Sequence, residues 1–465
     1  MKISFDVRVW NIQEHKGSDR KTGKPRSTYR VRWTVAGKVF GDRFQTKAHA
    51  ESFRAKLMSN QREGVGFDEA SGLPEPMARE LNSRSWYDHA VAFVDMKWPR
   101  AAAKQRMSIA EALANVTLAL LRTDRGAPPD KEIRRVLYVY SFNKTRRDAG
   151  PPPNDLAPTV GWLTANTISL NDMKDAAVVR KALDVLSLRL DGKRAAANTI
   201  ARKRAVFYGA LRYAVELRLL EVHPMDNVQW ITPKSDDEVD RRSVVNPGQA
   251  LSLIAVVADR HPHLVAFFAL LYYAALRPAE AVHLRIEDCE LPEEGWGMLR
   301  LSGSTQHVGQ GWGDDSEAIR EDRELKHRAK TAVRPVPAPP PLVRALRWHI
   351  AAFGHAPDGR LFVTQGYGHG PVSRETYSRV WRAARRIALS PAQQKTPLAK
   401  RPYDLRHAAV SFWLNEGVPA TQVAEWAGHS VHVLLKVYAK CIEGQDEAAR
   451  RRIEAALNRE DWPAA

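Results

Sequence analysis

Four side chains in the C-terminal half have types and an order suited to attack on a phosphodiester. Arg277 stands in A-L-R-P-A-E, after an apolar helical stretch and before L-R-I-E-D. Arg406 stands in Y-D-L-R-H. His429 lies in G-H-S, and Tyr438 follows nine residues later. A phenol titrates near ~10, so it attacks phosphate only with strong electrostatic help. Two guanidiniums clamping the non-bridging oxygens supply that help without a metal. His429 adds a further hydrogen bond or assists removal of the phenol proton. Glu280, three residues after Arg277, is placed to orient its guanidinium. Pro278 suits the first turn of the helix that joins them. The chain has no paired-carboxylate site and no His/Cys set with ligand spacing, so neither metal nor cofactor is expected. Singly, each residue also has a structural explanation: a salt-bridged arginine, a helix-capping histidine, a core tyrosine. Their combined order and spacing point to the chemistry.

These motifs resemble those of the tyrosine recombinases, the phage integrase family. ALRPAE is similar to the family's first arginine box. YDLRHAAVSFWLNEGVPATQVAEWAGHSVHVLLKVY is similar to its second box and nucleophile segment. The resemblance runs from about Val245 to Arg452. It implies Tyr438 as nucleophile, Arg277 and Arg406 as phosphate clamp, and His429 beside them. It also implies a lysine general acid on a β-hairpin that precedes R-x-V-P. In REDRELKHRAKTAVRPVPAPP that lysine is Lys326 or Lys330. Lys326, in L-K-H-R-A at the end of the first strand, is the preferred reading. The second box departs from the family's H-x-x-R, because Tyr403 stands in the histidine place. A tyrosine can donate one hydrogen bond to a phosphate oxygen but does not titrate near neutrality. A supporting role follows for Tyr403, and Asp404 is read with Glu280 as supporting too.

The resemblance implies a site-specific recombinase that integrates a phage or other mobile element. Tyr438 would form a 3′-phosphotyrosyl link, and the freed 5′-hydroxyl would attack the link on a partner duplex. Double-stranded attachment sites are the expected partner, held by a homotetramer, with a directionality factor as a further candidate. A type IB topoisomerase shares the chemistry and is one alternative; a non-catalytic DNA-binding protein on the same scaffold is another. The basic N terminus and the ALRPAE and GHS wording favour the integrase over the first. Retention of Arg277, Arg406, His429 and Tyr438 disfavours the second, and only Tyr403 speaks for it. An RNA-binding reading finds no aromatic RNP-like motif.

The elements that must position these residues form a multi-domain, mainly α chain. The 465 residues carry 71 Lys+Arg against 53 Asp+Glu, a formal net charge of +18. Residues 1–60 hold seven Lys and seven Arg against three Asp and two Glu, so half of the excess sits there. Ile3, Phe5, Val7 and Val9 alternate as in a half-buried strand. Tyr29, Val31 and Trp33 alternate with Arg30 and Arg32, and VFGDRF follows a short turn. Residues 16–26 read as a turn region, and a helix capped by Thr46 comes next. Three strands and a helix, with Arg30 and Arg32 on one face, resemble the arm-type DNA-binding domain of integrases, assigned to 1–65. Residues 61–80, rich in Gly, Pro and acid, read as a linker.

Residues 80–232 read as a helical core-binding (SAM-like) bundle. In TIARKRAVFYGALRYAVELRLL, Thr199 is the expected cap and Ile200, Phe207, Leu211 and Ala214 share a face. Arg202, Lys203 and Arg204 are the expected DNA contacts there. The α+β catalytic domain is assigned to 243–465 and opens at Asn246-Pro247. DNA is expected between bundle and catalytic domain. Residues 303–322, rich in Gly and acid, read as a loop inserted between strands. The last helix carries Ile453 and Leu457 on one face, for docking in cis or on a neighbouring protomer. The two cysteines, Cys289 and Cys441, form neither a disulfide framework nor a CxxC motif. The chain starts without a signal-peptide pattern, and its longest apolar run falls short of the ~20 residues that span a bilayer. A cytoplasmic protein without membrane contact is expected.

Overall fold

The computed structural model describes residues 2–18, 25–81, 84–231, 233, 238–315, 317–325, 332–365, 370–438, 441 and 445–457. The chain folds as two compact units, Met1–Pro233 and Lys234–Ala465. Both are mainly helical, with small sheets. Among the described residues, no helix is long and apolar enough to cross a membrane.

The first unit opens with β1 (Ile3–Ser4), β2 (Val7–Val9), β3 (Gln13–Ser18), β4 (Pro25–Val35) and β5 (Lys38–Phe44). Helix α1 (Lys47–Arg62) and β6 (Phe67–Asp68) follow. The sheet has four strands rather than three: β2 and β3 share one edge of β4, and β5 takes the other. The extra strand is Gln13–Ser18, part of which was expected to be a turn. Its residues are polar on both faces, so no period-2 apolar signal marks it. Along β4, Val31, Trp33 and Val35 are buried in one core with Ala50 and Leu57 of α1. Arg30 and Arg32 therefore fall on the opposite face. Thr46 caps α1, accepting from the His49 N–H at 3.3 Å. Residues 61–80 are no free linker. Strand β6 pairs with β1, and Phe67 is fully buried in the sheet's core. The turn residues signal a bend; the lone Phe67 decides where the segment packs.

Helices α2 (Glu75–Leu81), α3 (Trp86–Lys97), α4 (Ala103–Ala119), α5 (Asp130–Val136), α6 (Lys144–Asp148), α7 (Ala157–Asn166), α8 (Ala176–Leu186) and α9 (Ala197–Glu216) complete this unit. Ile200, Phe207, Leu211 and Ala214 of α9 are buried, as their spacing predicts. The helix starts at Ala197 with Ala196 in the cap position, so Thr199 lies inside its first turn.

The second unit contains α10 (Pro247–Arg260), α11 (Val265–Tyr273), α12 (Pro278–His283), β7 (Cys289–Glu290), β8 (Gly297–Leu301), β9 (Gly303–His307), β10 (Arg320–Glu324) and β11 (Arg334–Ala338). Then come α13 (Pro340–Phe353), α14 (Arg374–Ala388), α15 (Pro391–Gln394), α16 (Asp404–Asn415), α17 (Ala420–Ala427), α18 (Val431–Tyr438) and α19 (Gln445–Leu457). Asn246 and Gln249 form a reciprocal cap at the start of α10. The apolar α11 runs through the core against α13 and α16. Residues 303–322 are not a plain loop. Strands β9 and β10 make a hairpin in register from Gly303↔Glu324 to His307↔Arg320. Val308 and Trp312 beyond it are buried. The hairpin docks on α12, where His283 Nδ1 lies 3.0 Å from the Thr305 hydroxyl. Glycine and acid masked its strand character, because the pairing is local and mostly polar.

Candidate active site

A single buried carboxylate organises the site. Arg277 ends the turn after α11 and serves as the N-cap residue of α12. Pro278 supplies the first helical residue, so Glu280 falls one turn in. Glu280 Oε2 accepts from the Arg277 backbone N–H at 2.8 Å, and Oε1 accepts from its Nη1 at 2.7 Å. From the other side Arg334, the first residue of β11, donates from Nη1 at 3.1 Å and Nη2 at 2.8 Å. Only 3% of Glu280 is exposed. Burial alone would raise its pKa; the guanidiniums of Arg334 and Arg277 outweigh burial and hold it at about 2.

Arg406 is fully buried on α16. Its Nη1 donates to the Ala275 carbonyl, and its Nη2 donates to the Ala427 carbonyl at 2.6 Å. The same Nη2 lies 2.8 Å from His429 Nε2. Arginine can only donate, so His429 accepts there as a neutral ring with its proton on Nδ1. That Nδ1 is buried with no partner among the described residues, a donor available to an incoming acceptor. Burial and then Arg406 push the His429 pKa down to about 3. Gly428 makes this turn possible. It caps α17 in the left-handed conformation, φ +65°, and its carbonyl accepts from Arg277 Nη2 at 2.9 Å. A methyl group at Gly428 would press on Arg334 Nη1 and stand 3.3 Å from Arg277 Nη1.

Tyr438 is fully buried at the end of α18. Its hydroxyl lies 2.9 Å from Nδ1 of His407, the residue after Arg406. Burial pushes the phenol above its usual 10, against the pull of Arg406 and Arg277. The His407 pKa falls to about 4, mainly through burial and then Arg401 and Arg406. Tyr403 is half-buried, with its ring 5.0 Å from that of His407 and 5.9 Å from the Arg406 guanidinium carbon. Tyr403 also stands beside Arg277 and, after Glu280, helps to hold its charge.

The structure thus gathers Arg277, Glu280, Tyr403, Arg406, His429 and Tyr438 around one centre. Asp404 points elsewhere: its carboxylate holds Arg401, accepting from the backbone N–H at 2.8 Å and from Nη2 at 3.1 Å. Lys326 and Lys330 lie outside the described residues. Arg334 and His407 were missed by sequence reasoning, although both stand inside quoted motifs, R-P-V-P and D-L-R-H. Burial of Arg334 between strand and carboxylate leaves no periodic signal. For His407, four residues after the cap residue Tyr403 of α16, the spacing was the available clue.

The other expected contacts separate clearly. Arg30 and Arg32 flank Gly41, whose missing side chain leaves them room, and Arg30 pairs in register with Arg43. Arg32 also covers the Trp10 ring at 5.0 Å. Lys203, by contrast, is 5% exposed and sits 3.2 Å from Glu111, which also pairs with Arg202 at 3.2 Å. Its charge is neutralised inside the bundle and is not displayed to a partner. Arg204 lies 6.0 Å from the Trp230 ring. In α19, Arg452 donates to the Gly417 and Glu416 carbonyls, while Ile453 and Leu457 remain 60% and 62% exposed.

Residues 244–442 match the phage integrase family. No curated protein matches the chain. Among solved structures, the Tn1549 transposon integrase with transposon right-end DNA is 15% identical, covering 67% of this chain and 96% of that one, with a TM-score of 0.47. XerH site-specific recombinase on a palindromic difH substrate is 13% identical, covering 75% and 96%, at 0.46. A lambda integrase dimer on a COC′ core site is 14% identical, covering 97% of each chain, at 0.45.

Two measurements probe this geometry. Gly428→Ala should cost about 1–2 kcal/mol from its left-handed backbone alone, more with the clash on Arg334; chemical denaturation reads the loss. The second concerns acid. His407 and His429 titrate at about 4 and about 3 in the fold against 6.5 ordinarily. Between those values the unfolded chain binds more protons, so stability falls as pH falls from 6.5 toward 4. The Glu280 contribution is complete above 4.5 and goes as pH falls toward 2. Melting of the second unit should move steadily down below pH 6.5; a flat melting temperature from 6.5 to 4.5 would contradict it.

Proposed function

Because residues 244–442 form a domain of the phage integrase family, the tyrosine recombinases, we propose that this chain is a site-specific DNA recombinase serving a phage or mobile element. Tyr438 attacks the scissile phosphate and forms a 3′-phosphotyrosyl ester. Arg277 and Arg406 stabilise the charge that grows on the non-bridging oxygens. Glu280 and Arg334 hold Arg277 in place, and Tyr403 adds a hydroxyl beside it. His429 donates from Nδ1. Lys326 or Lys330 protonates the departing 5′-oxygen. The ester conserves the energy of the broken bond, so religation needs neither ATP nor a metal.

One observation carries this reading: side chains from positions 277, 406, 429 and 438 converge, with one carboxylate against three guanidiniums. Two uncompensated positive charges beside a phenol suit a phosphodiester whose charge rises from one toward two in the transition state. The domain order we propose is an arm-type module over 1–65, a core-binding bundle over 80–232 and the catalytic domain over 243–465. The basic face with Arg30, Arg32 and Arg43 supports groove binding by the first. Arg202 and Arg204 remain for the bundle's backbone contacts. The exposed Ile453 and Leu457 support docking of α19 on a neighbour in a tetramer on DNA.

The test uses duplexes selected for binding from a randomised pool, nicked near the cleavage position. Wild type should give a covalent protein–DNA adduct on a denaturing gel, in EDTA, and Tyr438→Phe should give none. An adduct that persists in Tyr438→Phe, or that needs a divalent metal, would contradict the reading.

A further inference from the structure

The Tyr438 proton must leave as its oxygen closes on phosphorus. Resting on the recombinase reading, we propose that His407 is the general base that takes it. Among the described residues, the hydrogen bond to His407 Nδ1 at 2.9 Å is the only one the Tyr438 hydroxyl makes. A buried phenol needs an acceptor, so the hydroxyl donates and the imidazole proton sits on Nε2.

His429 is unsuited to the task. Its Nε2 lone pair already faces Arg406 Nη2, and its other nitrogen carries the proton. Tyr403, in the place where the motif would carry histidine, brings a phenol and no base. His407 stands one helical turn further along, with its ring against Tyr403 and its nitrogen on the nucleophile. The imidazole that the motif would carry at the cap of α16 is thus present one turn inside the helix.

The step balances. The proton on Tyr438 Oη passes to His407 Nδ1 while Oη bonds phosphorus. The bond from phosphorus to the 5′-oxygen breaks, and that oxygen takes a proton from the lysine ammonium. In religation the 5′-hydroxyl returns its proton to lysine and attacks phosphorus. The tyrosine oxygen leaves and recovers its proton from the imidazolium. Several charged or titratable groups face the His407–Tyr438 pair: Arg401, Tyr403 and Arg406 from the α16 segment, Arg277 from the start of α12, His429, and Cys441. Burial, and after it the arginines, keep His407 neutral. A phosphodiester beside them opposes their field, so the imidazole becomes a stronger base when DNA is in place.

Single-turnover cleavage of the nicked duplex between pH 6 and 9 tests this, with DNA binding and melting measured in parallel. His407→Asn places an amide oxygen near the Nδ1 position, so it can hold the phenol but cannot take its proton. Adduct formation should slow on the order of 10²-fold or more and rise about tenfold per pH unit, with binding unchanged. A His407→Asn rate within about threefold of wild type, or a faster one, would overturn the assignment, since the amide keeps the hydrogen bond to the phenol and lacks only the base. If His407→Asn does not fold, His407→Ala, which removes the base outright, is read by the same rates and pH slope. An inactive wild type would sink the recombinase reading and the base with it; active wild type and active His407→Asn sink only the base.

Discussion

The Glu280 carboxylate, enclosed between two guanidiniums, is the contact on which the rest of the second unit's centre depends. It joins the start of α12 to the first residue of β11, elements more than fifty positions apart. Through Arg277 it reaches the Gly428 carbonyl, and so the turn that carries His429. A buried pair of this kind adds little net stability, yet removing one partner costs about 3–5 kcal/mol because the other is left charged and unpaired. The carboxylate is therefore best understood as a means of assembling positive charge. Without it, Arg277 and Arg334 would not lie so close in a dry site.

Neutral histidines are the second half of the arrangement. With Arg406 fully buried, a protonated ring beside it would be strongly disfavoured, and both His407 and His429 titrate far below neutrality. Each ring is left with a different capacity. His429 accepts from Arg406 and has a donor to offer. His407 accepts from the Tyr438 hydroxyl. Two chemically identical side chains are given opposite roles by what stands next to them, which a charge count does not reveal.

Some of this was legible in the sequence. Arg277, Pro278 and Glu280 form a local unit, so helix geometry alone predicts their contact. The alternation in β4 separated Val31 and Trp33 from Arg30 and Arg32 correctly. Long-range partners were less visible. Arg406 meets the carbonyls of Ala275 and Ala427, which no motif announces. Lys203 looked like a surface charge until Glu111 from α4 covered it. Strand Gln13–Ser18 and the β9–β10 hairpin were missed because their pairing is polar, without the apolar period that betrays a strand.

The central claim is that these guanidiniums act on the charge of the scissile phosphate. The most direct measurement compares wild type and Arg277→Ala on a duplex with an ordinary scissile phosphate and on one with a methylphosphonate there, which has lost that charge. The account predicts that Arg277→Ala is slower by about 10²-fold or more on phosphate, but within about tenfold of wild type on methylphosphonate. An equal loss on both substrates would contradict it, and would mean that Arg277 serves the fold alone.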